Sequence, residues 1–308
     1  ALVSHILSKK YNAPSCGNIG VSPVEYLDKN VDYYSIEASS YQLYYSKELE
    51  PKIGIFTNLT PDHISWHKSL DNYFESKAKP FRNMSENDFA ILNFDDEKVR
   101  SLGSEIKAKV YYFSLNKQNV ENRAYIQDGK LFFNNEEIID IDELQIVGSH
   151  NLQNAMAAVI AAKILNIDNN SIKEALKTFK AIVHRVEFVR TIEGTSYYND
   201  SKGTNPEATI VAINSFPNKR VVLIAGGRDK NTSLDDFIEA VKQRISKVIL
   251  IGEATKRFRD ELSEKGYMNI VTSKTLEEAI DIASLDRPDV VLLSPACASF
   301  DMFENYEK

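Results

Sequence analysis

Apolar residues in the first half of the chain fall into short runs that alternate with stretches of helical period. Val31–Ile36, Ile53–Thr57, Phe89–Asn93 and Val110–Phe113 read as strands, and Asp71–Asn83 reads as a helix. Strands that alternate with helical crossovers are typical of a parallel sheet. The pattern therefore predicts an α/β domain with a mostly parallel central sheet.

The hydrophobic pattern changes after these predicted strands. Tyr125–Gln127 and Leu131–Phe133 flank an Asp-Gly pair, which predicts a hairpin. Asn151–Leu165 is rich in alanine and predicts a long helix. Ser171–Phe179 predicts a second helix, with Ser171 as its N-cap.

A second series of strands and helices begins in the second half. Val186–Thr191 and Ser196–Tyr198 are predicted to pair across Glu193-Gly194. The pattern predicts further strands at Val221–Ala225, Val248–Ile251, Ile270–Val271 and Val290–Leu293, with helices after Pro206 and from Leu234, Ala254 and Leu276. This predicts a second, Rossmann-like domain. We place the boundary near Ile182, which gives domains 1–182 and 183–308.

Composition narrows the class of protein. The chain has 308 residues, 43% apolar and 26% charged, with a net charge of -7. The acidic balance argues against nucleic acid and anionic membranes as partners, and no apolar run approaches a membrane span of about 20 residues. Cys16 and Cys297 are the only cysteines and are far apart, which favours a reducing, cytoplasmic compartment. We expect a monomer.

Ionisable residues follow two of the predicted strands in the first half. Glu37 ends one strand, and Asp62 and His63 follow the next. Ligands of open α/β sheets bind at the carboxyl ends of strands, and carboxylates there suit Mg²⁺ beside a nucleotide. Helix capping and an ordinary polar loop stay open as alternatives. Lys77 lies on a charged helix and, by pattern alone, favours a solvated face.

Three polar turns follow strands in the second half. In the turn at 199–206, Asn205 caps a helix that begins with Pro206, and Asp200 and Lys202 add charges of both signs. The loop at 225–230 has adjacent glycines without dinucleotide spacing, so its cations favour a carboxylate ligand instead. The loop at 294–301 is rich in small residues, and Cys297 within it is more typical of a buried core position than of a nucleophile.

Eight short segments together carry a resemblance. They are GNIG at 17–20, EASSYQL at 37–43, TNLTPDH at 57–63, GSHNLQNAMAA at 148–158, HRVE at 184–187, YNDSKGTNPEA at 198–208, GGRDK at 226–230 and SPACASFDMF at 294–303. In this order they resemble the Mur ligase family, and most closely its members that add D-glutamate. The resemblance implies an ATP- and Mg²⁺-dependent enzyme that joins D-glutamate to UDP-N-acetylmuramoyl-L-alanine through an acyl phosphate, in peptidoglycan precursor synthesis.

Roles for individual residues follow from the resemblance alone. Glu37 and His63 would hold Mg²⁺, together with Lys77 once its amine has been carbamylated. Asn18 and Asp62 would line the precursor and metal region. Asn151 and Asn154 would contact adenine, and ATP would also meet Arg185 and Asp200. The residues that would hold D-glutamate are Lys202, Thr204, Lys230, Ser299, Phe300 and Tyr306; Lys202 also counts among the catalytic residues with Glu37, His63 and Lys77.

The resemblance is incomplete at both ends. The family's phosphate loop, GxxGK[ST], is expected immediately before Ala1, so we expect a central domain truncated at its start and a second domain truncated at its end, inactive alone. Three alternatives stay open: a sister Mur ligase, a folylpolyglutamate-type ligase, and a non-catalytic nucleotide-binding module. A DNPR-type motif, expected in the diaminopimelate- or lysine-adding ligase, and a GxGxxG loop, expected in a dehydrogenase, are both absent. The ligase hypothesis requires Glu37, His63 and Lys77 to converge on one cleft facing the turn at 200–204.

Overall fold

The computed structural model describes residues 1–180 and 183–304, apart from the side chain of Ser65. The chain forms two compact units. Ala1–Gln145 and Ser149–Phe179 make the first, and Ile146–Gly148 and Lys180–Lys308 make the second. The predicted boundary residue, Ile182, lies outside the described residues, so the domain limits stay a prediction. None of the described helices is long and apolar enough to cross a membrane.

The first unit opens with helix α1 (Leu2–Leu7) and a small two-stranded parallel sheet. Strands β1 (Ser15–Gly17) and β2 (Ser35–Glu37) form this sheet, with Gly17 opposite Glu37. Strand β2 is shorter than the predicted Val31–Ile36 and ends one residue later. Strand β1 has only three residues, too few to show an alternating pattern, so the hydrophobic pattern did not predict it.

A six-stranded sheet forms the centre of the first unit. Its strands and their helices are α2 (Ser40–Tyr45), β3 (Ile53–Phe56), α3 (Ile64–His67), α4 (Leu70–Asn83), β4 (Phe89–Asn93), α5 (Glu97–Leu102), β5 (Lys109–Ser114), β6 (Arg123–Gln127), β7 (Lys130–Phe133) and β8 (Glu136–Asp140). The strands lie in chain order, β3 to β8. Strands β3 to β6 are parallel, and the predicted hairpin of β6 and β7 is antiparallel. The mostly parallel sheet is therefore confirmed.

Two helices complete the first unit: α6 (Ser149–Ile164) and α7 (Asn169–Thr178). Every residue of Ala155–Ala162 is buried, because α6 packs on strands β4 to β7 and on α1. A helix that is apolar all round is buried on all sides, and small alanines allow close approach. The predicted cap of α7 is wrong: Asp168 caps it and accepts from the backbone N–H of Ser171 at 2.9 Å, because Ser171 already lies inside the helix.

The second unit has a single sheet of six strands. Its elements are β9 (Glu187–Ile192), β10 (Thr195–Asn199), α8 (Pro206–Asn214), β11 (Val221–Gly226), α9 (Asp235–Arg244), β12 (Ile245–Ile251), α10 (Thr255–Glu264), β13 (Ile270–Thr272), α11 (Leu276–Leu285) and β14 (Val290–Leu293). The spatial order is β13-β12-β11-β14-β10-β9. All neighbours are parallel except β9, which pairs antiparallel with β10 as predicted. The Rossmann-like arrangement is confirmed.

Strand β11 shows why this sheet is stable. All six of its residues are buried. Val221, Leu223 and Ala225 join one core cluster, while Val222 and Ile224 join the other, so apolar helices cover both faces. The chain leaves β11 toward β12 and β13 and returns as β14 on its other side, so the topological switch point lies between the carboxyl ends of β11 and β14.

Candidate functional site

Glu37 and Asn18 stand together where the two-stranded sheet of the first unit ends. The backbone N–H of Asn18 donates to the carbonyl of Glu37 at 2.7 Å. Its side-chain amide donates to Glu37 Oε1 at 3.2 Å. Gly17 makes this approach possible, because a Cβ at that position would lie 2.3 Å from the Glu37 carbonyl oxygen. The backbone thus fixes two of the predicted site residues as a pair.

Asp62 and His63 form a second pair, after strand β3. His63 is the N-cap residue of α3 and lies in the left-handed region, with φ 55°. Its backbone N–H donates to Asp62 Oδ1 at 2.7 Å, and its Nε2 lies 3.3 Å from Asp62 Oδ2. The imidazole packs at 4.9 Å from the ring of Tyr41, which belongs to α2, the helix that follows Glu37. The Asp-His loop therefore lies against the element next to Glu37.

Lys77 projects from α4 into aromatic surroundings. Its Nζ lies 5.1 Å from the ring centre of Tyr73 and 5.7 Å from that of Phe56. Burial lowers the pKa of Lys77, and the negative charge of Asp62 opposes this shift. The lysine is thus half-buried beside the Asp62–His63 pair instead of lying on the solvated face that its helix pattern favoured.

The first unit therefore brings Asp62, His63 and Lys77 together and holds Glu37 with Asn18 next to α2. Within residues 1–180 and 183–304, no three His, Cys, Asp or Glu side chains are grouped so that they could hold a metal ion. Asn151 and Asn154 lie three residues apart near the start of α6, on one helical face, and Asn154 is exposed.

Asp200 is the buried centre of the second unit's turn at 199–206. Only 3% of the residue is exposed. Burial raises its pKa to about 6, although the Ser294 hydroxyl, the Val186 N–H and the charge of Arg185 all favour the ionised form. Ser294 Oγ donates at 2.6 Å and Val186 N at 3.1 Å. Arg185 is itself exposed.

Of the polar residues predicted at this edge, Lys230 and Thr204 are in contact, whereas Lys202 is exposed. Asn205 caps α8 with Pro206 at its first position, as predicted. Lys230 Nζ donates to the carbonyl of Thr204 at 2.7 Å, which joins two of the proposed glutamate-binding residues. Lys202 is exposed on the same turn. Sequence and structure therefore agree that this edge carries positive charge.

A cavity of about 150 Å³ opens at the switch point of the second unit. Ser299 lines it, whereas Phe300 is 63% exposed and Tyr306 lies outside the described residues. Asp301 also lines it; its Oδ2 accepts from the Glu253 N–H at 2.8 Å, and its Oδ1 is buried with no hydrogen-bond partner among the described residues. The further lining residues are His184, Asn199, Ser201, Gly226, Gly227, Ile251, Leu276, Leu293, Pro295, Met302 and Phe303.

Two histidines that were not among the predicted site residues have several side-chain contacts in the structure. His184 Nδ1 lies 3.1 Å from both Asn199 Nδ2 and Ser201 Oγ, so it joins β10 to the turn that follows. His67 is buried beside Lys77's helix, with 4% of the residue exposed. The available signal for His67 was its position four residues after His63, one helical turn away.

Comparisons of the sequence with known proteins agree with this description. Residues 15–162 match the family described as Mur ligase middle domain, and residues 184–297 match the Mur ligase, glutamate ligase domain. The UDP-N-acetylmuramoylalanine--D-glutamate ligase of Thermoanaerobacter sp. (strain X514) is 45% identical over 303 residues, which are 95% of this chain and 66% of that protein. The protein of the same name from Caldicellulosiruptor bescii is 40% identical over all of this chain and 69% of its own length. The chain thus spans about two thirds of the length of the curated relatives it matches.

The fold has solved counterparts. Crystal structure II of MurF from Acinetobacter baumannii aligns with a TM-score of 0.74 at 16% identity, over 99% of this chain and 72% of that one. At this identity the likeness supports the fold alone, and the sequence matches carry the assignment. On both domain matches and on relatives at 40–45% identity, the chain belongs to the Mur ligase family.

Proposed function

We propose that this chain carries the catalytic machinery of an ATP-dependent ligase that adds D-glutamate to UDP-N-acetylmuramoyl-L-alanine. Its family and the shared name of its relatives support this activity. The structural observation that carries the proposal is that one ring, Tyr73, lies 5.1 Å from Lys77 Nζ and 6.5 Å from the imidazole of His63, which contacts Asp62. We further propose that the enzyme acts as a monomer in the cytoplasm, in peptidoglycan precursor synthesis.

The proposed reaction replaces a poor leaving group with a good one. An oxygen of the substrate's alanyl carboxylate attacks the γ-phosphorus of ATP, which releases ADP and leaves an acyl phosphate. The amine of D-glutamate then attacks the acyl carbon, loses a proton, and expels inorganic phosphate as the amide forms. Little covalent chemistry falls to the protein, which mainly aligns reactants and neutralises charge.

The first unit offers two of the proposed Mg²⁺ ligands, and modification of Lys77 would add a third. Glu37 offers a carboxylate and His63 an imidazole, and Mg²⁺ beside a nucleotide is usually held by one or two protein carboxylates, with phosphate oxygens and water as its other ligands. When bound, Mg²⁺ would neutralise charge on the phosphates. Carbamylation of Lys77 would add a carboxylate where an ammonium group now faces Asp62.

The surroundings of Lys77 favour that modification. Only a neutral amine attacks CO₂, and the attack forms an N–C bond and releases one proton. Burial lowers the pKa of Lys77 and so increases the neutral fraction. The aromatic rings of Tyr73 and Phe56 offer an unmodified ammonium only cation–π contacts.

The remaining roles are proposed on family resemblance and position. Asn18 and Asp62 would line the region of the precursor and metal. For ATP the proposed contacts are Asn151, Asn154, Arg185 and Asp200. For D-glutamate, the Lys230–Thr204 pair and the exposed Lys202 supply positive charge and a hydroxyl for its carboxylates, and Ser299, Phe300 and Tyr306 complete the proposed set.

A substrate panel tests the proposal. The protein encoded by the complete gene is supplied with ATP, Mg²⁺ and UDP-N-acetylmuramoyl-L-alanine, together with D-glutamate, L-lysine or L-alanine, and phosphate release is followed. We expect release with D-glutamate only, and a loss of roughly 100-fold or more in Lys77→Ala, the size expected when a group that stabilises transition-state charge is removed. Exposed Lys107→Ala is the matched control and should keep full activity. No phosphate with D-glutamate, or equal rates for the two lysine variants, would show the proposal to be wrong.

A further inference from the structure

His67 connects the three elements that carry the proposed metal site. It is the last residue of α3 and is buried. Its Nε2 lies 3.0 Å from Ser40 Oγ, at the start of α2, and its Nδ1 lies 3.4 Å from Ser76 Oγ, on α4. Ser40 follows Glu37 by three residues, and Ser76 directly precedes Lys77. One imidazole thus joins the segments that hold Glu37, His63 and Lys77.

The hydrogen bonds define one arrangement of the imidazole. Ser76 Oγ donates its proton to the carbonyl of Asn72 at 2.8 Å, so it faces His67 as an acceptor. Nδ1 must then carry the hydrogen, and Nε2 accepts from the Ser40 hydroxyl. The Asn72 amide also donates to the His67 carbonyl at 3.0 Å. Both serines are buried, so each bond replaces contacts with water that are lost on folding.

The ring is also enclosed by aromatic side chains. Centroid distances are 4.4 Å to Trp66, 5.1 Å to Tyr73, 5.8 Å to Tyr41 and 6.4 Å to Tyr44. Tyr73 and Tyr41 also flank Lys77 and His63, respectively. Burial lowers the pKa of His67, and the nearby His63 and Lys77 lower it further, which agrees with a neutral ring.

We propose that His67 is a positioning residue, which holds the segments of Glu37, His63 and Lys77 in the arrangement that the proposed Mg²⁺ site requires. This inference rests on the proposed function and deepens it, because it assigns to His67 the alignment of the three proposed metal-site residues. A residue that only filled the core would affect stability alone. A positioning residue also changes how tightly Mg²⁺ is held and how much carbamate forms on Lys77.

The test compares variants of the protein from the complete gene. His67→Phe keeps the ring and removes both hydrogen bonds, and His67→Gln restores an acceptor for Ser40. Ile139→Ala, fully buried in strand β8, is the control for lost stability. The readouts are the Mg²⁺ concentration at half-maximal rate and the carbamate signal in ¹³C NMR after equilibration with ¹³C-bicarbonate.

We expect His67→Phe to require roughly tenfold more Mg²⁺, the size typical when a partner behind a metal ligand is removed, and to carry less labelled carbamate. His67→Gln should recover part of both. Ile139→Ala should unfold more easily and leave both readouts at the wild-type value. Equal Mg²⁺ dependence and equal labelling in His67→Phe and the wild type would overturn the inference.

Two complications are covered by further measurements: a His67→Phe variant that does not fold, and a wild-type protein without ligase activity. If His67→Phe does not fold, Ser40→Ala and Ser76→Ala each remove one bond and should shift both readouts in the same direction, and unchanged readouts in both would overturn it. If the wild type releases no phosphate with D-glutamate, the proposed function fails, but labelling of Lys77 needs no turnover and still compares the variants. The two failures are therefore distinguishable.

Discussion

Two buried aspartates, one in each unit, have pKa values that are shifted in opposite directions. Asp88 directly precedes strand β4, and hydrogen bonds from Ser85 with the charge of Lys52 hold its pKa at about 2. Asp200 directly follows strand β10, and burial raises its pKa to about 6. Both residues are less than a tenth exposed, so burial alone does not explain the difference.

The difference lies in the partners of each carboxylate. Asp88 accepts from the N–H and the hydroxyl of Ser85, at 2.8 and 2.6 Å, and pairs with Lys52 at 3.0 Å. Asp200 has two neutral donors and no cation within ion-pair distance among the described residues. A fully partnered acid at the start of a strand is typical of a structural role. An under-compensated acid at a strand's carboxyl end is more typical of a functional site, which agrees with the role proposed for Asp200.

Replacing each aspartate with asparagine tests this comparison and has the largest expected effect. The folded-state pKa of Asp200 lies above 3.8, so folded protein binds the extra proton and the free energy of unfolding falls as pH rises from about 4 to 7, by an amount on the order of 3 kcal/mol. Asp200→Asn should remove this decline. Urea unfolding between pH 4.5 and 8, with amide exchange in β10 and β14 as a local probe, measures it.

Asp88→Asn is the matched control, with the opposite sign. Its pKa lies below 3.8, so its contribution is present at higher pH and is lost only as pH falls from about 4 to 2. The variant should therefore be destabilised by a constant amount across pH 4.5 to 8. If the free energy of unfolding depends on pH in the same way in both variants, the pKa values of Asp88 and Asp200 are not shifted in opposite directions.

Gly203→Ala sharpens the comparison with a smaller effect. An added Cβ would lie 2.4 Å from Asp200 Oδ2 and 2.8 Å from Ser294 Oγ, so the buried acid must shift. We expect a loss of about 2 kcal/mol, typical of overpacking, and a changed pH profile in the second unit. Gly129→Ala strains a positive φ in open space and should lower stability without changing that profile. A wild-type profile in Gly203→Ala would count against the packing argument.

Lys52→Met should have the smallest effect. Lys52 pairs with Asp88, but its side chain is 57% exposed, and such ion pairs contribute about 0.5 kcal/mol. The pKa of Asp88 should rise slightly and stay below its usual range, because the Ser85 donors remain. An NMR titration of the Asp88 carboxyl checks this. A return to the ordinary pKa would mean that the lysine, rather than Ser85, controls the acid.

The features that depend on residues close together in the chain, such as helix caps and apolar strands, could be predicted from the sequence. Asn205 and Pro206 begin α8 by local capping, and the apolar runs of the second half gave every strand of its sheet. The cap of α7 was misassigned because Asp168 and Ser171 are both good caps, and only backbone conformation distinguishes them.

The sequence by itself determined the fold class, the positions of most strands and the family, since these follow from hydrophobic period and from motifs read in order. Only the tertiary structure determined which ionisable groups are buried and which residues they contact. The helix pattern predicted a solvated face for Lys77, but the side chain lies against the ring of Tyr73. Asp200 is a buried acid, and His67 contacts residues 27 and 9 positions away in the chain. Burial and long-range hydrogen bonds depend on the packing of separate elements, and no local pattern encodes them.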